Sequence, residues 1–306
     1  MPSRRRYSGR RCSGIRDDTP VIVAHEGLGP EQRECFSVVL ELALALEDWR
    51  DRVCLVGGWA IYALTELFLA GGDPAPMRHR GSLDVDIAVG VPGAAEPEAE
   101  ALASQLAAAG YEGPEGFHWL RRVPSGRTYR LDMMALPPPE HSGGVVRMGA
   151  HEFAPLWHGK AAFVSPRRVM LRGVLPSGQP AEGQLRVANP GGLLVVKAWT
   201  MSQLGRAPQA KHLYDIFALL RTYPGGPAGF WRELEPLRGT DDLQVALDLL
   251  GVMFVDCDDG PRLVAEERAA QQLVAEPGGP GPSDRELQMT EARTTVERFL
   301  GAGPPD

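Results

Sequence analysis

In the stretch Arg80-Gly81-Ser82-Leu83-Asp84-Val85-Asp86-Ile87-Ala88-Val89, two carboxylates stand two residues apart in a largely apolar run. Along a strand, side chains at i and i+2 point the same way. Asp84 and Asp86 are therefore expected on one face, with Leu83, Val85, Ile87 and Val89 lining the other. Neighbouring carboxylates repel unless something positive sits between them, and hard oxygen ligands at this spacing suit Mg²⁺ with nucleotide phosphates completing its shell. Pairs of this kind are also common on solvated strands and turns, so the surrounding residues have to decide between the two readings.

Upstream, Val53-Cys54-Leu55-Val56 reads as a short buried strand running through Gly57-Gly58 into a helix from Trp59 to about Ala70. Glycines there let phosphate approach the backbone N–H groups of a helix N-terminus, although a plain strand-to-helix turn uses the same residues. Downstream, Asp132 interrupts the apolar strand Tyr129–Leu136. A buried carboxylate needs a cation, a proton or a hydrogen-bond partner. Arg130, two residues earlier on the same face, can supply one; alternatively Asp132 joins Asp84 and Asp86 as the third carboxylate of a metal cluster.

Lys197 lies inside Leu193-Leu194-Val195-Val196-Lys197-Ala198-Trp199, where a charge needs either a route to water or an anionic partner such as a phosphate. Asn189 followed by Pro190 fits an N-cap with proline at the first helical position. Lys211 and Asp215, four residues apart, can simply pair on a helix surface, in the less favourable order of charges.

Gly57-Gly58-Trp59-Ala60, then Arg80 through Asp86, then Asp132, in that order, resembles the nucleotidyltransferase fold of the DNA polymerase beta superfamily. The segment Asn189–Met201, followed by Arg206 and Lys211-His212-Leu213-Tyr214-Asp215-Ile216, resembles the helical half of the AbiEii-type nucleotidyltransferase toxins, and the likeness spans about residues 50 to 222. The chain departs from that pattern at His212, where the family carries an acid, and in the loop Gly71–Pro76. The resemblance implies Mg²⁺, two ions, on Asp84, Asp86 and Asp132, with Asp132 alternatively accepting the proton of the attacking hydroxyl. It also implies an NTP bound through Gly57, Gly58, Ser82, Arg80, Lys211 and Asp215, with Lys197 at the triphosphate or acceptor phosphate. The implied acceptor is RNA, with toxicity restrained by a separate antitoxin protein. A small-molecule acceptor is the alternative, since aminoglycoside nucleotidyltransferases carry a similar glycine turn; modification of a protein hydroxyl and a non-catalytic nucleotide-binding protein of the same fold are weaker ones.

The 306 residues suit one large domain or two modest ones. Cys12, Cys35, Cys54 and Cys257 are scattered without a C-x-x-C, which points to a reducing cytoplasm rather than to zinc or a disulfide frame. Arg4-Arg5-Arg6 and Arg10-Arg11 are followed by no apolar region long enough for a signal peptide, and no run reaches membrane-spanning length. The net charge of −7 is concentrated in residues 239–306, which hold 14 acidic and 5 basic residues; the remainder is +2. Within that remainder Arg121, Arg122, Arg127 and Arg130, and Arg167, Arg168 and Arg172 after Lys160, form clusters that could track a phosphate backbone or be solvated strand edges.

The expected class is α+β: a nucleotidyltransferase-like mixed sheet flanked by helices, followed by a helical C-terminal domain. The divisions are a basic flexible N-terminus (1–29), a nucleotidyltransferase-like domain (30–188), a helical domain (189–275), and a linker and tail with a possible short helix (276–306). Within them the spacing predicts helices over about 31–50 and 95–109, strands around 117–122 and 127–136, and further strands or hairpins in 137–183, including Ala161–Val164.

Overall fold

The computed structural model describes residues 21–23, 28–70, 79–90, 96–202, 210–273 and 282–304. The N-terminal arginines, Cys12, the Gly71–Pro76 loop, Arg206 and the breaker-rich stretch 276–281 lie outside the described residues.

The first half alternates strands and helices: β1 (Val21–Val23), α1 (Pro30–Ala45), β2 (Val53–Val56), α2 (Gly57–Ala70), β3 (Asp84–Val89), α3 (Glu96–Ala108), β4 (Glu112–Glu115), β5 (His118–Arg122) and β6 (Thr128–Ala135). Strands β7 (Val146–Met148), β8 (His151–Pro155), β9 (Arg167–Val174) and β10 (Pro180–Val187) follow. They join in one mixed sheet of order β1-β9-β10-β2-β3-β6-β5-β4, with β8 beside the end of β6 and β7 beside β8. Strand β3 runs antiparallel to β2 and parallel to β6, while β5 runs antiparallel to β6. The carboxylate strands thus occupy the middle of the sheet. All four side chains of β2 are buried, as are Val85, Ile87 and Val89 of β3, so the sheet is fixed by the apolar residues around its charged positions.

The second half is helical: α4 (Pro190–Ser202), α5 (Ala210–Thr222), the single turns α6 (Gly226–Gly229) and α7 (Trp231–Leu234), α8 (Asp241–Gly251), α9 (Asp259–Leu273) and α10 (Pro282–Ala302). Helix α4 begins as its sequence predicts: the Gly192 N–H donates to Asn189 Oδ1 at 3.1 Å, with Pro190 at the first position. Among the described residues no helix is long and apolar enough to cross a membrane.

Several elements differ from their sequence-based extent. Val21–Val23, inside the stretch expected to be flexible, pairs in parallel with Val169–Leu171. Helix α1 stops at Ala45, and a separate 3-10 turn, Glu47–Trp49, buries Trp49. Leu83 does not join the packed face; it is 49% exposed, because the left-handed turn at Gly81 (φ +73°) precedes it and β3 begins only at Asp84. The apolar run around Ala161 is a 3-10 turn, Gly159–Phe163, tucked under α4 rather than a strand. The tail helix is 21 residues long and buries Ala292, Val296 and Phe299 against the other helices.

Candidate active site

Parallel pairing of β3 with β6 sets Asp86 opposite Asp132 and Asp84 opposite Arg130. The strand alternation then brings one carboxylate oxygen from each of Asp84, Asp86 and Asp132 within 4.8 Å of the others. Asp86 and Asp132 are buried and Asp84 is half-buried. Arg130 serves both readings of Asp132 at once: its Nε lies 2.9 Å from Asp132 Oδ1 and its Nη2 3.5 Å from Asp84 Oδ2. His118, opposite Asp132 on β5, adds its Nδ1 at 2.7 Å from the same Oδ1.

The three carboxylates feel different surroundings. Burial raises the pKa of Asp84, but the Lys211 ammonium and the Ser82 hydroxyl outweigh it and hold that carboxyl below its ordinary value. Asp86 is pushed up to about 6, first by burial and then by the charge of Asp84, with Lys197 and Lys211 offsetting only part of this.

The turn before α2 packs directly on these strands. Gly57 has φ +65°, and a Cβ there would sit 1.8 Å from Asp86 Oδ2; a Cβ on Gly58 would meet the Ser82 Cβ at 2.9 Å. This close packing is sufficient reason for both glycines, alongside the phosphate contact expected of them. Ser82 Oγ bonds Asp84, and Lys211 Nζ reaches Ser82 Oγ at 2.9 Å and Asp84 Oδ1 at 3.4 Å. Arg80, Ser82 and Lys211, with His79, Gln32, Glu267 and Gln271, line an open cleft of about 260 Å³ between the turn that precedes β3 and helices α5 and α9.

Comparison with protein-family models, curated proteins and solved structures finds no match to this chain.

Two of the expected site residues are paired with each other inside the fold. Lys197 neither snorkels to water nor faces the cleft: it is 5% exposed, and its Nζ lies 2.5 Å from Asp215 Oδ2. Asp215 is fully buried and pairs with Lys197 and with His79 Nε2, at 2.8 Å, rather than with Lys211. Burial alone would raise the pKa of Asp215; the Lys197 charge and the His79 hydrogen bond reverse this and hold it well below the usual carboxylate range. His212, where the resembled family carries an acid, is buried, and burial followed by the Lys197 charge lowers its pKa to about 4, so it is neutral near pH 7. Sequence reasoning missed His79 and His118. The only signal for His118 is cross-strand register, which is absent from a linear pattern, and His79 stands next to Arg80 without a periodicity to mark it.

The arginine clusters are largely neutralised within the chain. Arg121 binds Glu41, Arg127 binds Glu31 and Glu34, Arg167 binds Glu233, Arg168 binds Asp51, and Arg172 binds Glu182.

Proposed function

We propose that this chain is a Mg²⁺-dependent nucleotidyltransferase, acting in the cytoplasm, that moves a nucleoside monophosphate from an NTP to an acceptor hydroxyl. The observation that carries this reading is the set of three carboxylates within 4.8 Å, of which Asp86 is buried among like charges instead of being paired off. An all-oxygen donor set of this charge fits a hard divalent cation, and the raised pKa of Asp86, caused first by burial and then by the Asp84 charge, marks an ionised form that such an ion would stabilise. Asp84, Asp86 and Asp132 would hold Mg²⁺, which when bound neutralises triphosphate charge at the reacting centre.

The chain's own residues then have defined tasks. Ser82, Lys211 and Arg80 border the cleft where the triphosphate would lie, beside the backbone of Gly57 and Gly58 at the start of α2. Asp132, steadied through Oδ1 by Arg130 and His118, offers its other oxygen to a cation or to the proton of the attacking hydroxyl. The acceptor oxygen forms a bond to the α-phosphorus, the bond to the β-phosphate bridge breaks, and pyrophosphate leaves with that electron pair.

RNA as acceptor, with an antitoxin protein restraining the enzyme, rests on the resemblance to the toxin family. A small-molecule acceptor is the second reading, favoured by the pairing of Arg121, Arg127, Arg167, Arg168 and Arg172 with acids, which leaves fewer free cations for a phosphate backbone. The test is incubation with Mg²⁺, each α-labelled NTP and either total RNA or a panel of small hydroxyl compounds, beside the Asp84→Ala/Asp86→Ala variant. Label moving to an acceptor with the native chain and not with the variant is the expected result, and the labelled acceptor decides between the two readings. Equal transfer by both proteins overturns the reading.

A further inference from the structure

His79 is not one of the carboxylates, and although it lines the cleft beside Arg80 it is only 2% exposed, with both ring nitrogens engaged. Nδ1 accepts the Gly81 N–H at 3.0 Å, which requires that Nε2 carry the hydrogen given to Asp215 Oδ1 at 2.8 Å. The ring stacks on Tyr214, with centroids 5.8 Å apart and planes 28° from parallel. Each partner fixes the same tautomer and the same ring orientation.

What His79 holds is the segment 79–83 that delivers Ser82 and Asp84. Gly81 is in the left-handed region, and a Cβ on it would strike the Trp59 ring at 2.7 Å, so the turn is pressed onto α2 from one side and tied to His79 from the other. Lys211 and Asp215 are one turn apart on α5 and grip the same segment at two points, Lys211 at Ser82 and Asp84, Asp215 at His79. Lys197 on α4 anchors Asp215 in turn. The helical half therefore reaches the start of the carboxylate strand at two points, through the Lys211 ammonium and through the buried imidazole of His79.

We infer that His79 is a positioning residue for the carboxylate site: through its bond to the Gly81 N–H it sets the 79–83 turn so that Ser82 and Asp84 meet Asp86 and Asp132. This rests on the proposed metal-dependent reading of that site. The alternative is that His79 serves stability alone, as the neutral partner of a buried aspartate.

Two substitutions separate these roles. His79→Gln keeps an N–H that can reach Asp215 but loses the ring nitrogen that accepts from Gly81. His79→Asn keeps an acceptor near the Nδ1 position but falls short of Asp215. The measurements are thermal unfolding and Mn²⁺ binding by paramagnetic resonance on the full chain, with Asp86→Asn as the control for the site itself. Expected are a near-native melting temperature for His79→Gln with Mn²⁺ affinity weakened by about tenfold or more, the scale typical of groups that orient metal ligands. His79→Asn is expected to show the reverse, a lowered melting temperature with near-native Mn²⁺ affinity of the folded protein. Metal affinity that tracks melting temperature across both variants, or stays native in both, overturns the inference while leaving the site intact. Failure of the native chain to bind Mn²⁺ more tightly than Asp86→Asn overturns the metal-dependent reading and this inference with it.

Discussion

The carboxylates of β3 and β6 and the charges beneath them on α4 and α5 are made of the same residue types in opposite arrangements. Asp215 is fully buried but lies between Lys197 and His79, so its charge is matched on both oxygens. Asp86 has Asp84 and Asp132 as its close charged neighbours, with the ammonium groups of Lys197 and Lys211 offsetting only part of the repulsion. A fold that can neutralise one buried aspartate that well has the means to neutralise another. The proposed cation would relieve Asp86, whereas Asp215 is already matched by Lys197 and His79.

The comparison breaks most visibly at Lys197. Lys197→Met removes the main counter-charge of Asp215 and leaves a buried carboxylate with only a neutral imidazole, which costs about 3–5 kcal/mol for a broken buried pair. Chemical denaturation should register that loss whether or not divalent cation is present. If the variant keeps native stability, the lower layer is not the support described here. Lys197→Met/Asp215→Leu, which removes both charges, should recover much of the loss.

Asp86→Asn should act in the opposite direction. Neutralising a carboxylate pushed up to about 6 removes repulsion and desolvation, so the metal-free protein is expected to gain about 1–3 kcal/mol at pH 7 while nucleotide transfer falls by about three orders of magnitude or more. Stability and activity moving in opposite directions at one residue is the behaviour of a functional site. A loss of both would make Asp86 an ordinary structural group. Gly57→Ala is intermediate: a side chain at φ +65° costs about 1–2 kcal/mol, and its Cβ would displace the Asp86 carboxylate, so both stability and Mn²⁺ binding should decline.

The sequence made the upper layer legible and the lower one nearly invisible, for a physical reason. Asp84 and Asp86 share a face because strand periodicity is local, and Asn189 caps α4 because capping is local too. The Asp132 carboxylate could be suspected because a lone charge in an apolar strand needs a partner. The partner of Lys197 lies eighteen residues away on another helix, and the partner of His79 lies 136 residues away; no spacing rule reaches that far. The same limit hid the pairing of Arg121 and Arg127 with glutamates of α1, which neutralises two members of a basic cluster in the sequence.

The smallest expected effect sharpens the contrast most, because the two layers should give stability slopes of opposite sign against pH. Asp86 has a folded pKa of about 6, above its unfolded value of about 3.9, so between those values the folded chain holds the extra proton. Its contribution is then present at low pH and lost as pH rises through 6, with a slope of at most about 1.4 kcal/mol per pH unit. Asp215 is held below its unfolded value, so its contribution is present above about pH 4 and is lost as pH falls further. Denaturation of the metal-free protein from pH 4 to 7, with chelator present, should therefore show a downward component that disappears in Asp86→Asn. Adding Mn²⁺ should cancel the same component in the native chain, because the cation competes with the proton for one carboxylate. A native profile superimposable on that of Asp86→Asn would mean that Asp86 is as comfortably paired as Asp215, and the distinction between the layers would be gone.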